Sequence, residues 1–168
     1  LDQLKDAIED ANEQFVRSHV IELLPQDVAS VLYEFEIKES KYIFSLFDHS
    51  QQAIIISELD EGYRIDFLDL FSNEELAGYI SILDTDDAAD ILNELDDVDA
   101  IIEIIAVNDL EKANDIRDLL HYDEDCAGGL MQKELIRANL NWTVDKCVEE
   151  MRDQSKKVGK IYSVYVVN

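Results

Sequence analysis

Large apolar residues recur along this chain at a fixed interval of 12 positions: Leu23, Phe35, Phe47, Leu59, Phe71, Leu83, Leu95, Val107 and Leu119. The residue that follows most of them is suited to open a helix: Asp48, Asp60, Ser72, Asp84, Asp96 and Asn108. Such side chains accept hydrogen bonds from the free N–H groups of a first helical turn. Ser72 with Glu75, and Asn108 with Glu111, have the spacing of a capping box or a near variant. Pro25, the single proline, stands where the first helical residue of an early unit belongs. Five places after each cap come Ala53, Ile65, Ala77, Ala89, Ile101 and Ala113; eight places after come Ile56, Leu68, Ile80, Leu92, Ile104 and Ile116. With the closing residue, these positions form one helical face.

One continuous helix does not fit this pattern. Twelve residues rotate the face by about 120°, so the apolar stripe would wander around the cylinder and the regular caps would be wasted. Separate helices of roughly two turns account for both features. Helices that short are marginal alone and must be held by their neighbours. The predicted fold is therefore mainly α, a superhelical stack of short antiparallel helices. Residues 1–22 read as a less regular leading pair carrying Leu4, Ile8, Phe15 and Val20, as a terminal unit of a stack does.

The repeat stops at Tyr122. Asp123 to Gly129 form a polar connector that holds two of the five glycines. Beyond it, Leu135–Ala138 predicts a short strand. Thr143 predicts the cap of a helix carrying Val144, Cys147, Val148 and Met151. Lys160–Val167 predicts a buried strand rich in β-branched and aromatic residues. The expected organisation is a helical domain over 1–121, a hinge over 122–132, and the opening part of a second, α/β domain over 133–168.

Charge narrows the function. Asp and Glu number 39 against 14 Lys and Arg, a formal charge of −25, while 47% of residues are hydrophobic. The apolar share supports a real core. The negative field repels nucleic acid and anionic lipid and favours cations. No apolar run approaches the roughly 18 residues of a membrane helix. The start, Leu1-Asp2-Gln3-Leu4, has neither a basic signal-peptide segment nor an initiator Met, so a fragment of a longer protein is expected. Cys126 and Cys147 form no metal-binding or disulfide pattern, which fits a reducing cytoplasm. His19, His49 and His121 stand alone in sequence, no catalytic motif accompanies them, and no enzyme is expected.

Tyr122-Asp123-Glu124-Asp125-Cys126-Ala127-Gly128-Gly129-Leu130-Met131 closely resembles the segment joining the helical N domain of MgtE-type magnesium transporters to their first CBS (cystathionine-β-synthase-type) domain. Ile161–Val167 resembles a strand of that CBS domain. Leu24-Pro25-Gln26-Asp27-Val28-Ala29 and Asp86-Asp87-Ala88-Ala89-Asp90 resemble N-domain segments, with Leu24 replacing a usual His. The resemblance implies the cytoplasmic, Mg²⁺-sensing region of a homodimeric inner-membrane Mg²⁺ channel. It implies Mg²⁺ as the bound ion, held between the N and CBS domains, and it gives 133–168 as the first part of a CBS domain. CBS pairs often bind adenine nucleotides, but the half that contacts phosphate and ribose is not in this sequence.

Asp84, Asp86, Asp87, Asp90, Glu94, Asp96, Asp97 and Asp99 lie together with no Lys or Arg among them. Asp86, Asp90 and Glu94 are spaced to share one helical face. Like charges at that spacing repel by a few tenths of a kcal/mol, which a divalent cation would relieve. Hard carboxylate oxygens without His or Cys suit Mg²⁺ or Ca²⁺ rather than zinc. Mg²⁺ needs only one or two carboxylates plus waters, so this face makes half a site. The resemblance implies Asp86 and Asp90 as the N-domain ligands; Glu94 is a candidate from spacing. A further acidic position expected in the helix after Asp48 is occupied by Ile54. Asp123, Asp125, Gly128 and Glu134 imitate the spacing of an EF-hand loop, but Ala127 occupies a ligand position, and a hinge is the expected reading. The alternative function is a protein-interaction scaffold, since related helical stacks resemble the middle domain of a flagellar motor switch protein.

Overall fold

The structure, a computed structural model, describes residues 2–10, 12–123, 126–155 and 163–168. Ten short helices form the stack: α1 Asp2–Glu9, α2 Glu13–Val20, α3 Pro25–Leu32, α4 Ile37–Phe44, α5 His49–Ser57, α6 Glu61–Leu68, α7 Asn73–Ile80, α8 Thr85–Asn93, α9 Val98–Ala106 and α10 Leu110–Leu119. Each is only 8 to 10 residues long, below the length at which a helix stands alone. Packing supplies what length does not. Helices two apart in sequence lie against each other, α3 on α5 on α7 on α9 and α2 on α4 on α6, with α8 on α10.

The 12-residue register is the core. All six residues eight places after the expected caps are at most 2% exposed: Ile56, Leu68, Ile80, Leu92, Ile104 and Ile116. Aromatic rings fill the middle of the stack, where Phe44 meets Phe67, Phe71 and Tyr79 edge to face at centroid distances of 5.2, 5.5 and 5.8 Å. Leu23, Phe71, Leu95 and Ile101 are half-buried against this core, and two register positions are exposed, Ile65 at 39% and Val107 at 69%.

The caps follow the sequence up to α8 and then slip. Asp48 and Ser72 accept from the backbone N–H groups of Gln51 and Glu75, each with a reciprocal capping box. Leu24 precedes Pro25 at the first helical position, as expected. Asp60 and Asp84 occupy cap positions without a side-chain cap bond. Neither Asp96 nor Asn108 is a cap. Asp97 takes that role for α9, accepting from Asp99 and Ala100, and Asp109 takes it for α10, accepting from Glu111 and Lys112. Asn108 instead donates backwards to the carbonyl of Ile104 at 3.2 Å, leaving the next residue free to cap. Where two cap-competent residues are adjacent, their local chemistry does not choose between them; the geometry of the chain leaving the previous helix does.

The scarce cations close helix ends. Arg17 on α2 donates to the carbonyl of Leu46 just past α4 at 3.0 Å, and Lys41 on α4 donates to that of Leu70 just past α6. Lys112 on α10 donates to the carbonyls of Ser81 and Leu83 just past α7. A positive charge at a helix C-terminus both satisfies orphan carbonyls and opposes the dipole.

After α10 the chain turns through the connector, whose Glu124 and Asp125 lie outside the described residues. A Cβ at Gly128 would run into the ring of Tyr122, so glycine is required for that close approach. Then come β1 Ile136–Asn139, α11 Val144–Gln154 and β2 Val164–Val167. The two strands pair in parallel, Ile136 opposite Val164. The strand expected over 160–167 is described only from Val164; Lys160, Ile161 and Tyr162 lie outside the described residues. The strand predicted at Leu135–Ala138 begins one residue later, and Thr143 caps α11 by accepting from Lys146. α11 has no buried residue, and Tyr165 and Val166 of β2 are exposed, so this strand–helix–strand unit presents apolar surface that its own elements do not cover.

Candidate metal centre

The site expected on the acidic face is carried by α8. Its buried side, Ala88, Ala89, Ile91 and Leu92, locks the helix into the stack. That leaves Asp86, Asp87 and Asp90 half-buried on the other side, with Asp84 just before the first turn. Asp84 does not cap α8. Its Oδ2 accepts from Gln132 Nε2 at 2.8 Å, while the backbone N–H of Thr85 is taken by Glu134 at 3.0 Å. The N-terminus of α8 is therefore closed by a residue from the segment leading into β1, 49 positions away in sequence.

The carboxylates on this face hold their charge at a cost. Burial, with Asp86, Asp84 and Asp90 adding repulsion, pushes the Asp87 carboxyl up to about 6. Burial also raises Asp84, aided by Glu134 and Asp86, and raises Asp90 against the relief from Arg64. Asp86 Oδ1 is buried with no hydrogen-bond partner among the described residues. A buried carboxylate oxygen without a donor is costly, and a cation would satisfy it.

Glu94 does not belong to that group. Arg64 Nε lies 3.1 and 2.8 Å from its two carboxylate oxygens, and Arg64 Nη2 closes a bidentate ion pair. Both side chains are largely buried, at 12% and 6% exposed. Arg64 also donates to the carbonyl of Ser57 at 3.2 Å, tying the ends of α5 and α8 together. Burial opposes the charge of Arg64, but the bonds and charge of Glu94, with Asp90 and Asp87 behind it, outweigh burial and raise its pKa. Spacing along α8 suggests Glu94 as a ligand; the structure engages it elsewhere, at the helix C-cap.

Asp86 and Asp90 thus remain, one turn apart, without Glu94. Among the described residues, no three His, Cys, Asp or Glu side chains converge to hold a metal ion. The donors present fit a hard cation bound partly through water, and they fit half of its shell. Ile54 on α5 is 43% exposed and offers no oxygen. The EF-hand imitation dissolves, since Glu134 is committed to Thr85; Asp125 lies outside the described residues. His19 stacks on Phe15 and His49 packs on Tyr79, which are packing roles.

Arg64 and Glu134 were not legible as members of this site. Their partners lie 30 and 49 positions away, and no periodicity links such distances.

Comparison with known proteins gives a consistent set. The family described as the MgtE intracellular N domain matches residues 23–125. The magnesium transporter MgtE of Thermus thermophilus is 24% identical over 167 residues, covering 98% of this chain and 37% of that protein. The magnesium transporter MgtE of Enterococcus faecalis is 36% identical over 58 residues, 34% of this chain and 13% of that protein. The chain therefore spans well under half the length of these relatives. The crystal structure of the cytosolic domain of the Mg²⁺ channel MgtE in complex with ATP superposes with a TM-score of 0.84 at 24% identity, covering 98% of this chain and 67% of that one. The soluble part of a magnesium transporter superposes at 0.75 with 22% identity, covering 99% of this chain and 66% of that one. These likenesses show the fold. Among the described residues no helix is long and apolar enough to cross a membrane.

Proposed function

The chain belongs to the MgtE intracellular N-domain family, and from that premise we propose that it is the ion-sensing, gating region of a magnesium transporter. It works at the cytoplasmic side of the membrane that holds the rest of the parent protein. In this reading the strand–helix–strand unit opens a CBS domain, and the parent is a homodimer. The observation that carries the reading is the unpartnered, buried Oδ1 of Asp86 in a face whose neighbouring carboxyls, Asp84, Asp87 and Asp90, are all raised. Such a face is short of positive charge. Mg²⁺ would supply that charge and bring its own waters as further donors. Asp86 and Asp90 provide the carboxylates, and the remaining ligands come from a surface that packs against α8, in this reading the CBS domain. Arg64 keeps Glu94 out of the set, and Asp87 adds to the field.

Calorimetry on the complete cytoplasmic region tests this. Millimolar Mg²⁺ is expected to bind weakly, and Asp86→Ala with Asp90→Ala to abolish the heat. Unchanged binding in the double variant would remove the site from α8.

A further inference from the structure

Residues 132–134 make an attachment that neither the fold nor the ion reading requires. Thr85 is 1% exposed and is one of two buried polar residues among those described. Its hydroxyl donates to Glu134 Oε2 at 2.8 Å and accepts from the backbone N–H of Lys133 at 3.3 Å, while its own N–H donates to Glu134 Oε1 at 3.0 Å. Gln132 donates to Asp84, and Lys133 Nζ pairs with Asp118 on α10. Three consecutive residues thus fasten the segment before β1 to the first turn of α8 and to α10.

The attachment contains opposed forces. Glu134 gains two charge-assisted hydrogen bonds and sits at the positive end of α8. It also brings a carboxylate towards Asp84, which already faces Asp86. A cation bound beside Asp86 weakens only the repulsive part. We propose that Glu134 is a positioning residue that latches the segment entering β1 onto the acidic helix, and that cation binding on α8 tightens this latch. This rests on the ion reading above. Coupling of this kind is reciprocal, so loosening the latch also weakens cation binding.

Amide hydrogen exchange at Thr85 and Lys133 in the complete cytoplasmic region, which carries the ligands beyond α8, reads the latch directly. Glu134→Ala is expected to speed exchange at both amides by at least about tenfold, the loss of hydrogen bonds to a charged group. Glu134→Gln keeps an acceptor for Thr85 but loses the charge, so its exchange is expected between the two. Millimolar Mg²⁺, compared with NaCl of equal ionic strength, is expected to slow exchange in the wild type and not in Glu134→Gln. A purely structural role would not move that difference. Unchanged exchange in Glu134→Ala overturns the latch. Equal slowing by Mg²⁺ in wild type and Glu134→Gln, while Mn²⁺ still broadens the amide signals of α8, overturns the coupling and leaves the ion reading standing. Mn²⁺ that broadens no α8 amide overturns the ion reading, and the coupling with it.

Discussion

Asp87 and Glu94 stand on one short helix and are both acidic, yet their surroundings separate them. Arg64 reaches Glu94 from α6 and neutralises it. Among the described residues no donor pairs with Asp87, Arg64 relieves it only from a distance, and its carboxyl is lifted from 3.8 to about 6. A group whose folded pKa is raised binds protons more tightly in the folded than in the unfolded chain. The stability linked to it is therefore full below 3.8 and lost as pH rises through about 6. Glu75 and Asp118 run the other way, lowered by hydrogen bonds from Ser72 and Lys133, so their contributions are lost as pH falls. Asp87→Asn isolates the first effect. Denaturant titrations across that window are expected to show the wild type losing stability relative to Asp87→Asn as pH rises; a gap independent of pH would contradict the raised carboxyl. None of this is visible in the string Asp86-Asp87-Ala88-Ala89-Asp90, where the acids are chemically alike. Burial and the partner from another helix distinguish them.

At the scale of the helices, the regular 12-residue spacing and its polar breaks were enough to place α5 to α8, because a short helix needs a cap, a buried stripe and little else. The slip at α9 and α10 marks where this stops. Asp96 and Asp97, like Asn108 and Asp109, offer two caps for one helix, and the preceding turn decides which is used. Asp97→Ala is expected to lower stability by about 1 kcal/mol in chemical denaturation, the loss of a cap. Asp96→Ala is expected to stay within about 0.5 kcal/mol of wild type. The reverse order would restore the cap to Asp96. The cap that matters most for the site is also non-local: α8 is closed by Glu134, although Asp84 stands at the usual position.

For the molecule as a whole, a formal charge of −25 opposes compaction. Several of the few cations are spent inside the stack, on helix C-termini and on Glu94, and do little to neutralise the surface. Added NaCl is expected to raise the melting temperature, by about 3 °C for each kcal/mol of repulsion screened in a chain of this size. In the complete cytoplasmic region, where the other half of the ion site is present, Mg²⁺ at equal ionic strength is expected to raise it further, and to lose that excess in Asp86→Ala/Asp90→Ala. Equal effects of the two salts would reduce the ion's action to screening.

The sequence by itself determined the repeat, the stack, the break at Tyr122 and the strand–helix–strand unit beyond it. Each depends on periodicity, caps and glycine, which act within a few residues. It also located the acidic helix, since charge is countable. Tertiary structure alone decided which acids are free. Glu94 is paired, Asp84 is held by Gln132, and the buried Oδ1 of Asp86 is left without a partner among the described residues, because those outcomes depend on contacts between residues tens of positions apart.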